Sequence, residues 1–324
     1  MSSLHKPIFV VGCPRSGTTL VQCILSASSH AFSLPETHFF SQVLPELNAL
    51  PETRFDRDGL RQLRQALEEE ADVPPVPELW STLDNTSGPR AIDVFVALVE
   101  RFRPVGGQHL RAIEKTPRHV LHLDTLGAVF PDACFVNVVR DPIDVVGSLL
   151  SVPFASSRSV ISQAQRWTES IAAARSYAQT WSGRVHTVLH ERLVREPEET
   201  TRDLCRFVDV PYEPRMLEEF GREASRNVGR GEIWKRDVAR GVLLDRQGVW
   251  RERLTPGQAW LVAQATADAR RSFGYDSVPS ASGVSIARAL LKEVRVRFGE
   301  ARTSVGVVGA ARYAGSVLKT LAPA

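Results

Sequence analysis

Short runs of apolar, partly β-branched residues alternate along this chain with longer stretches in which apolar residues recur every three or four positions. The short runs predict strands over Ile8–Val11, near Phe32, at Ile113, over Cys134–Val139 and over Val185–Leu189. The longer stretches predict helices after Thr19, around Leu60–Leu67 and over Ile92–Phe102, Val145–Leu150, Ser162–Trp181, Glu198–Val208 and Leu261–Phe273. Because strands that alternate with helices are typical of a parallel sheet, we predict a three-layer α/β fold with a central parallel sheet flanked by helices.

Breaks in this pattern divide the chain into a large domain and a tail. Residues 41–110 interrupt the alternation with helical stripes and carry no chemical motif, so we interpret them as a helical insertion, either scaffold or a lid and acceptor-binding wall. Residues 277–284 have the composition of a linker. We therefore predict a domain over 1–276 and a basic, amphipathic helical tail over 285–324. The apolar stripe predicted for the tail consists of Ile286, Leu290, Val294 and Phe298.

The segment after the first strand has the outline of a P-loop: Gly12-Cys13-Pro14-Arg15-Ser16-Gly17-Thr18-Thr19. A strand, a glycine-rich turn and a helix start bring backbone N–H groups and the positive end of the helix dipole together, which favours anion binding over a purely structural turn. Thr18 stands where a nucleotide hydrolase has its lysine, and Arg15 offers a planar, forked cation instead. This P-loop-like segment therefore suits a donor that has no γ-phosphate.

The loop resembles the 5′-phosphosulfate loop of sulfotransferases, in the arginine form found in the tyrosylprotein and bacterial branches. The resemblance extends in order over roughly residues 6–275. It implies transfer of a sulfuryl group from 3′-phosphoadenosine-5′-phosphosulfate to an acceptor hydroxyl, without a metal ion. It also implies that the loop holds this donor and that Arg15 belongs to the catalytic residues as well. The donor-binding residues of the loop are then Pro14, Arg15, Ser16, Gly17, Thr18 and Thr19.

Arg140 and Ser148 match the arginine and serine that bind the 3′-phosphate of the donor in this family. Arg140 follows a predicted strand and Ser148 lies two turns into the next helix, which Asp141 is expected to cap, so both side chains are expected to face one phosphate. The structural alternatives are a salt bridge for Arg140 and an ordinary helix position for Ser148. The tyrosylprotein branch has a further arginine one turn beyond the serine, where this chain has Val152.

Glu36, in a Pro-Glu-Thr segment, matches the family's candidate general base for the acceptor hydroxyl. The alternative for Glu36 is to order its loop, and His38 is a second candidate base. Lys115 matches the lysine that stabilises the leaving bridging oxygen, the alternative being a surface lysine. Thr116 is expected to cap the following helix, which puts Lys115 at a strand end, and His119 is expected to pack or cap rather than react.

Two later segments resemble the family more weakly. His190-Glu191-Arg192-Leu193-Val194 is similar to the family's Tyr-Glu-x-Leu-Val segment near the nucleotide, with His190 in place of the tyrosine. Gly248-Val249-Trp250-Arg251 is similar to the Gly-x-Trp-Arg segment that closes over the donor. The resemblance therefore implies donor contacts from His190, Trp250 and Arg251.

Two other classes of function stay open. A P-loop kinase of small molecules requires a P-loop lysine and an acidic residue after a strand, and Asp141 fits a helix cap better than that role. A non-catalytic nucleotide-binding module would hold the anion without needing Glu36 and Lys115. The acceptor is not determined either, because carbohydrates, lipids, peptides and small natural products all present hydroxyl groups.

The net charge of +3 is unevenly distributed. From Ser280 onward seven basic and two acidic residues give +5, so the body is slightly acidic and its charge indicates no nucleic-acid partner. The composition of the tail predicts contact with an anionic membrane surface or, alternatively, a docked helix or oligomer contact.

The four cysteines lack metal-binding spacing and indicate buried thiols in a reducing compartment. Met1–Lys6 has no apolar signal core and no spanning stretch follows, so we expect a cytoplasmic protein, membrane-associated only through its tail.

Overall fold

Five strands form one sheet in the computed structural model of this chain, which describes residues 4–151, 158–227 and 247–304. The strand order is β2-β3-β1-β4-β5, and every neighbouring pair is parallel. The strands are β1 (Ile8–Gly12), β2 (Ala31–Ser33), β3 (Arg111–Glu114), β4 (Cys134–Val139) and β5 (Val185–Leu189). The predicted α/β class with a central parallel sheet is confirmed, and β4 and β5 have the bounds expected from their apolar runs.

Helices separate these strands and follow the last one. In chain order they are α1 (Thr18–Ser26), α2 (Leu44–Glu46), α3 (Arg57–Glu70), α4 (Pro77–Leu83), α5 (Ala91–Arg101), α6 (Leu123–Val129), α7 (Pro142–Leu149), α8 (Val160–Thr180), α9 (His190–Arg195), α10 (Pro197–Val208), α11 (Arg215–Glu218), α12 (Phe220–Asn227), α13 (Pro256–Ala265), α14 (Ala267–Arg271) and α15 (Gly283–Ser304). A π-helical turn covers Phe39–Val43, and 3₁₀ turns cover Pro117–His122 and Val249–Glu252. Within the described ranges, no helix combines the length and the apolar character needed to cross a lipid bilayer.

The described residues divide into two compact units. The first unit draws on residues 4–12, 17–139 and 173–227 and holds the sheet. The second unit draws on residues 13–16, 140–151, 158–172 and 247–304. The chain therefore passes from one unit to the other inside the loop after β1 and again directly after β4.

Both faces of the sheet are buried in the first unit, because successive side chains of a strand point to opposite faces. Ile8 and Val10 of β1 pack with apolar residues of α1, α10, α11 and α12 on one face. Phe9 and Val11 pack on the other face, with residues of α3, α4, α5 and α6 and of the last turns of α8. The three predicted layers are therefore present, and the helices of the 41–110 region contribute to the core of one layer.

The second unit has a core of its own. Apolar residues of α7, of the first turns of α8, of α13 and of α15 form it, and Ile143, Ile161, Leu261 and Ala289 are among its buried members. α13 begins with a capping box in which the Thr255 side chain accepts from the Gln258 N–H. This core holds α15 against α13.

The C-terminal helix α15 also provides a cap for α8. The Glu293 carboxylate accepts hydrogen bonds from the backbone N–H groups of Val160, at 3.1 Å, and Ile161, at 3.2 Å, and from the Ser159 hydroxyl. Arg297 lies one turn further along α15, and its Nε donates to the Ser159 hydroxyl at 3.2 Å. A negative charge at a helix N-terminus is stabilising, because the first N–H groups there have no partner within the helix.

The buried face of α15 matches the predicted stripe only in part, because Leu290 packs against the core of the second unit and Ile286 is half-buried. Ala289, Glu293 and Arg297 are buried, whereas Val294 is 37% exposed. The prediction took only apolar residues to be buried, whereas Glu293 and Arg297 are buried together with the hydrogen bonds that they make at the start of α8. The side chain of Phe298 and residues 305–324 lie outside the described part of the chain.

Candidate active site

The loop between β1 and α1 adopts backbone conformations that few residue types tolerate. Gly12 has a φ of +143°, Gly17 of +99°, and Arg15 lies in the left-handed region with a φ of +75°. A β-carbon on Gly17 would come within 2.5 Å of Nδ1 of His190, the first residue of α9, so no other residue type fits there. His190 therefore packs against this turn. Left-handed backbone at a residue other than glycine costs free energy and is concentrated at functional sites, which draws attention to Arg15.

The same stretch of chain has the polar groups that an anion needs. Ser16 is fully buried, and within the described residues its hydroxyl has no hydrogen-bond partner. Thr18 is buried and Thr19 half-buried in the first turn of α1, where Gly17 provides no side-chain cap for the N–H groups. Each of these, a buried hydroxyl and the uncapped N–H groups of a helix start, is the kind of donor that binds the oxygens of a phosphosulfate.

In the second unit, Arg15 and Ser148 are bonded to each other. Arg15 Nε donates to the Ser148 hydroxyl at 3.1 Å, and Ser148 is buried in α7. Arg140 is buried as well, and its carbonyl accepts a hydrogen bond from the Trp167 indole at 3.0 Å. The Asp141 side chain accepts from the Ile143 N–H at 2.8 Å, which confirms the predicted cap. The predicted 3′-phosphate serine is therefore linked to the loop arginine, a contact that the sequence did not indicate. Val152 lies outside the described residues.

The segment containing Trp250 is attached to α7 through a residue that the sequence analysis did not single out. The carboxylate of Asp144, which is buried, accepts from the Gly248 N–H at 2.8 Å and from the Trp250 N–H at 3.0 Å. A β-carbon on Gly147 would lie 3.1 Å from the Trp250 Cα, so a glycine there permits this close approach. The Arg251 guanidinium lies over the Trp250 ring, 4.6 Å from its centroid. Asp144 thus fixes the backbone of the segment that contains Trp250 and Arg251, which the resemblance predicts to contact the donor.

In the first unit, Glu36 and Lys115 form an ion pair. The Lys115 ammonium donates to one carboxylate oxygen of Glu36, and the side chains are 1% and 11% exposed. Glu36 follows β2, and Lys115 directly follows the last residue of β3, so both lie at the carboxyl edge of adjacent parallel strands. Clefts at that edge are where α/β proteins bind ligands. Two residues predicted to carry out the chemistry, 79 positions apart in the chain, are therefore brought together.

His38 lies on the other side of Glu36. Its Nε2 is 3.6 Å from the second carboxylate oxygen, and burial holds the pKa of His38 below its ordinary value, although Glu36 acts in the opposite direction. His38 is therefore a neutral imidazole at pH 7. Glu36, His38 and the exposed Asp72 have potential ligand atoms within 4.8 Å of one another, a spacing that a cation would accept. Lys115 already supplies a positive charge to Glu36, so these residues need no metal to balance that carboxylate.

Thr116 does not cap the 3₁₀ turn that follows it, and this prediction is wrong. Its hydroxyl instead donates to Glu114 Oε1 at 2.6 Å, because Glu114 is a buried carboxylate at the end of β3 and needs donors. His119 Nδ1 lies 2.9 Å from the other oxygen of Glu114. Glu114 was not predicted from the sequence, although a glutamate at the end of a buried strand beside a candidate lysine was a usable signal.

Comparison with known proteins gives a consistent result. A family model described as "Sulfotransferase family" matches residues 7–214. The chain is 26% identical over 262 residues to an uncharacterized protein of Aquifex aeolicus (strain VF5), an alignment that covers 78% of this chain and 31% of that protein. It is 26% identical over 221 residues to a putative protein-tyrosine sulfotransferase of Caenorhabditis briggsae, covering 67% of this chain and 70% of that protein. This chain thus spans less than a third of the Aquifex protein.

Among solved structures, the sulfotransferase domain from the curacin biosynthetic pathway resembles this chain in fold. The TM-score is 0.59 at 19% identity, and the alignment covers 86% of this chain and 100% of that domain. At this identity the likeness concerns the fold. It agrees with the parallel sheet and the layers described above.

Proposed function

This chain belongs to the sulfotransferase family, and on that premise we propose that it transfers a sulfuryl group from 3′-phosphoadenosine-5′-phosphosulfate to a hydroxyl group of an acceptor. The observation that carries the proposal is the ion pair of Glu36 and Lys115 at the carboxyl edge of the sheet. A purely nucleotide-binding module has no use for this pair. A kinase would require the lysine that the loop replaces with Thr18.

We propose that the protein binds the donor through its two charged groups, the 5′-phosphosulfate and the 3′-phosphate. The loop residues from Pro14 to Thr19 bind the 5′-phosphosulfate, where the buried Ser16 hydroxyl is available to donate a hydrogen bond. Arg140 and Ser148 bind the 3′-phosphate, and charge-assisted bonds from Arg140 supply most of that affinity. His190, Trp250 and Arg251 are proposed to contact the nucleotide. No metal ion is assigned to this site, because arginine and lysine provide the positive charge.

The reaction proposed is an in-line displacement at sulfur. The acceptor oxygen forms a bond to sulfur, the bond between sulfur and the bridging oxygen of the donor breaks, and the products are a sulfate ester and adenosine 3′,5′-bisphosphate. Glu36 takes the proton of the acceptor hydroxyl. Lys115 and Arg15 stabilise the negative charge that develops on the bridging oxygen and the sulfuryl group. Positioning and charge thus do most of the work, as in phosphoryl transfer.

The acceptor class is a separate question. The Caenorhabditis briggsae relative is described as a putative protein-tyrosine sulfotransferase, which makes tyrosine hydroxyl groups one class to test. Carbohydrates, lipids and small natural products are the others. Sulfate transfer from the ³⁵S-labelled donor to fractionated extracts, followed by identification of the labelled product, tests the activity and the acceptor together. Absence of any labelled product beyond free sulfate would overturn the proposal.

A ligand-binding experiment separates the proposed donor from the substrate of a kinase. Adenosine 3′,5′-bisphosphate in EDTA is expected to raise the melting temperature of the full chain, because a ligand that binds only the folded state stabilises it. ATP with Mg²⁺ at the same concentration is expected to raise it less. A larger effect of ATP with Mg²⁺ would support the kinase alternative instead.

The outer face of α15 is proposed to contact an anionic lipid surface. Val284, Leu291 and Val294 are exposed there. Among the side chains of α15 that the structure describes, the exposed charged ones are all basic, namely Arg288, Lys292 and Arg295. Glu293, the acidic residue of α15 whose side chain is described, faces inward. This combination of apolar and basic groups complements anionic headgroups and the acyl boundary.

Charge reversal tests this surface. The chain is expected to sediment with phosphatidylglycerol vesicles, to be released by salt, and to lose binding when Arg288, Lys292 and Arg295 are changed to glutamate. The matched control reverses three exposed arginines of α3, namely Arg57, Arg61 and Arg64. Equal loss in the control would indicate attraction without a specific face. If the chain does not sediment with the vesicles and its molecular mass depends on concentration, the outer face of α15 contacts a second copy of the chain instead of a lipid surface.

A further inference from the structure

We infer that Glu114 and His119 form a positioning pair that holds the segment containing Glu36 against the strand end containing Lys115. The inference rests on the proposed function, because it assigns this pair the task of keeping a catalytic ion pair in its reacting geometry. Neither Glu114 nor His119 is proposed to touch the donor or the acceptor. All of the residues involved belong to the first unit.

The pair is fully enclosed by protein. Glu114 is 2% exposed and His119 is not exposed at all. His119 Nε2 accepts a hydrogen bond from the Phe40 N–H at 3.2 Å, so this nitrogen does not carry a proton. Nδ1 therefore carries the proton and donates it to Glu114 Oε2 at 2.9 Å. One imidazole in one tautomer thus links the glutamate at the end of β3 to the backbone four residues after Glu36.

The second carboxylate oxygen of Glu114 extends this link. It accepts from the Thr37 hydroxyl at 2.9 Å and from the Thr116 hydroxyl at 2.6 Å. Each threonine oxygen in turn accepts a backbone N–H: Thr116 from His38 and Thr37 from Phe39, both at 3.3 Å. Three consecutive N–H groups after Glu36 and Thr37, those of residues 38, 39 and 40, therefore end on side chains that converge on Glu114.

The geometry explains why this segment needs such support. His38 has a φ of +50°, a left-handed conformation that a residue with a β-carbon adopts only when its surroundings enforce it. Glu36 lies two residues before this position, and Lys115 lies between Glu114 and Thr116. Any movement of 37–40 away from the end of β3 would therefore separate the two members of the ion pair. The hydrogen bonds of Glu114 and Thr116, the two residues that flank Lys115, therefore keep Glu36 and Lys115 close to each other.

The charge on Glu114 is what allows it to collect these donors. Burial alone would raise the pKa of Glu114, but the hydrogen bonds that it accepts from His119, Thr116 and Thr37 hold its pKa below the usual range. Glu114 is therefore ionised and acts purely as an acceptor. A glutamine in its place would offer one acceptor oxygen to the threonines and turn an NH₂ group toward the proton on His119 Nδ1. His119 would then have to change tautomer, and its Nε2–H would face the Phe40 N–H.

Four variants of the full chain test this inference. Glu114→Gln introduces the conflict described above, and His119→Phe removes both bonds of the imidazole while keeping an aromatic ring. His119→Gln restores both, because an amide oxygen and NH₂ group are spaced like the two ring nitrogens and can accept from Phe40 and donate to Glu114. Tyr177→Phe is the control, since Tyr177 is buried in the same unit and its hydroxyl has no partner within the described residues.

The measurements are the affinity for adenosine 3′,5′-bisphosphate, the single-turnover rate of sulfate transfer at saturating donor, and amide hydrogen exchange. We expect Glu114→Gln and His119→Phe to lower the single-turnover rate about 10- to 100-fold with an unchanged Kd, because displacement of catalytic groups by about 1 Å has effects of this size. His119→Gln is expected to recover most of the rate, and Tyr177→Phe to match the unaltered chain. Exchange at residues 38–40 is expected to accelerate in the two impaired variants alone.

Two results would overturn the inference. One is a normal rate in Glu114→Gln and His119→Phe although exchange at 38–40 has accelerated, which would make the pair purely structural. The other is an equal loss of nucleotide affinity and rate in all variants, including the control, which would indicate general destabilisation. If the unaltered chain transfers no sulfate to any acceptor, the proposed function fails, and the positioning role fails with it. The exchange data would then identify only a structural network.

Discussion

Lys115, which is almost wholly buried, donates a hydrogen bond to Glu36, and this bond joins the ends of two adjacent strands of a parallel sheet. Removing one member of a buried ion pair leaves an uncompensated charge, which typically costs about 3–5 kcal/mol. A test of Glu36 therefore requires a substitution that keeps the bond to Lys115. Glutamine removes the carboxylate charge but keeps this hydrogen bond, since its oxygen accepts from Lys115 and takes up no proton.

Glu36→Gln is expected to bind adenosine 3′,5′-bisphosphate normally and to lower the rate of sulfate transfer by about 10²- to 10⁴-fold, the usual contribution of a general base. Isothermal titration calorimetry and a radiolabel transfer assay give the two quantities. His38→Ala serves as the comparison, because His38 is the other candidate base beside Glu36. A normal rate in Glu36→Gln together with an inactive His38→Ala would assign the base to His38.

Arg140→Ala is expected to weaken the binding of adenosine 3′,5′-bisphosphate selectively. A charge-assisted hydrogen bond contributes about 1.5–3 kcal/mol, which is roughly 10- to 150-fold in Kd. Adenosine 5′-phosphate, which has no 3′-phosphate, is expected to bind the variant and the unaltered chain equally. Arg61→Ala, an exposed arginine of α3, is the control. If Arg140→Ala still discriminates fully between the two nucleotides, Arg140 does not bind the 3′-phosphate.

Asp144→Ala is expected to release the segment that contains Trp250. Both oxygens of Asp144 accept backbone N–H groups of that segment, so the amides of Gly248 and Trp250 should exchange faster with solvent. The affinity for the bisphosphate is expected to fall with it, if Trp250 and Arg251 contact the nucleotide. Asp141→Ala on the same helix is the control, because it removes a helix cap, worth about 1 kcal/mol, and an ion pair with Arg270 without touching this segment. Unchanged exchange at 248 and 250 would refute the role given to Asp144.

The free energy of unfolding is expected to decrease as the pH falls from about 7 to about 5. Burial holds the pKa of His38 below its ordinary value of 6.5, and burial acts in the same direction on His122 and His186. The unfolded chain therefore binds more protons than the folded chain in this range, so stability rises with pH. Urea unfolding of His38→Gln is expected to show a shallower decrease. An identical slope in the variant and the unaltered chain would mean that His38 does not contribute.

Much of the fold follows from local pattern. β4 and β5 are continuous apolar runs, and their bounds are those of the runs. The P-loop outline and the cap at Asp141 are also local, because each depends on a few successive residues. Asp141 accepts from a residue two positions away, which is why the sequence sufficed there.

The wrong or missing predictions concern side chains whose partners lie far along the chain. Thr116 has the residue type of a cap, but the buried carboxylate of Glu114 competes for its hydroxyl. Glu293 lies outside the predicted apolar stripe, yet it is buried and accepts hydrogen bonds from N–H groups more than 130 positions away. The periodicity of a sequence indicates which apolar residues will be buried. It does not indicate which polar residues will form hydrogen bonds with each other, because those pairs depend on tertiary contacts.

The cap that Glu293 provides for α8 has a consequence for the order in which the chain can fold during synthesis. Ser159, Val160 and Ile161 leave the ribosome long before the glutamate that completes their hydrogen bonds. Arg15 is likewise synthesised long before Ser148, the residue to which it donates a hydrogen bond. All five strands precede residue 190, so they leave the ribosome before the C-terminal third is translated. The second unit, by contrast, combines early, middle and late stretches of the chain, so its core can be completed only after residues 247–304 have been made. We therefore expect its non-local contacts to form slowly.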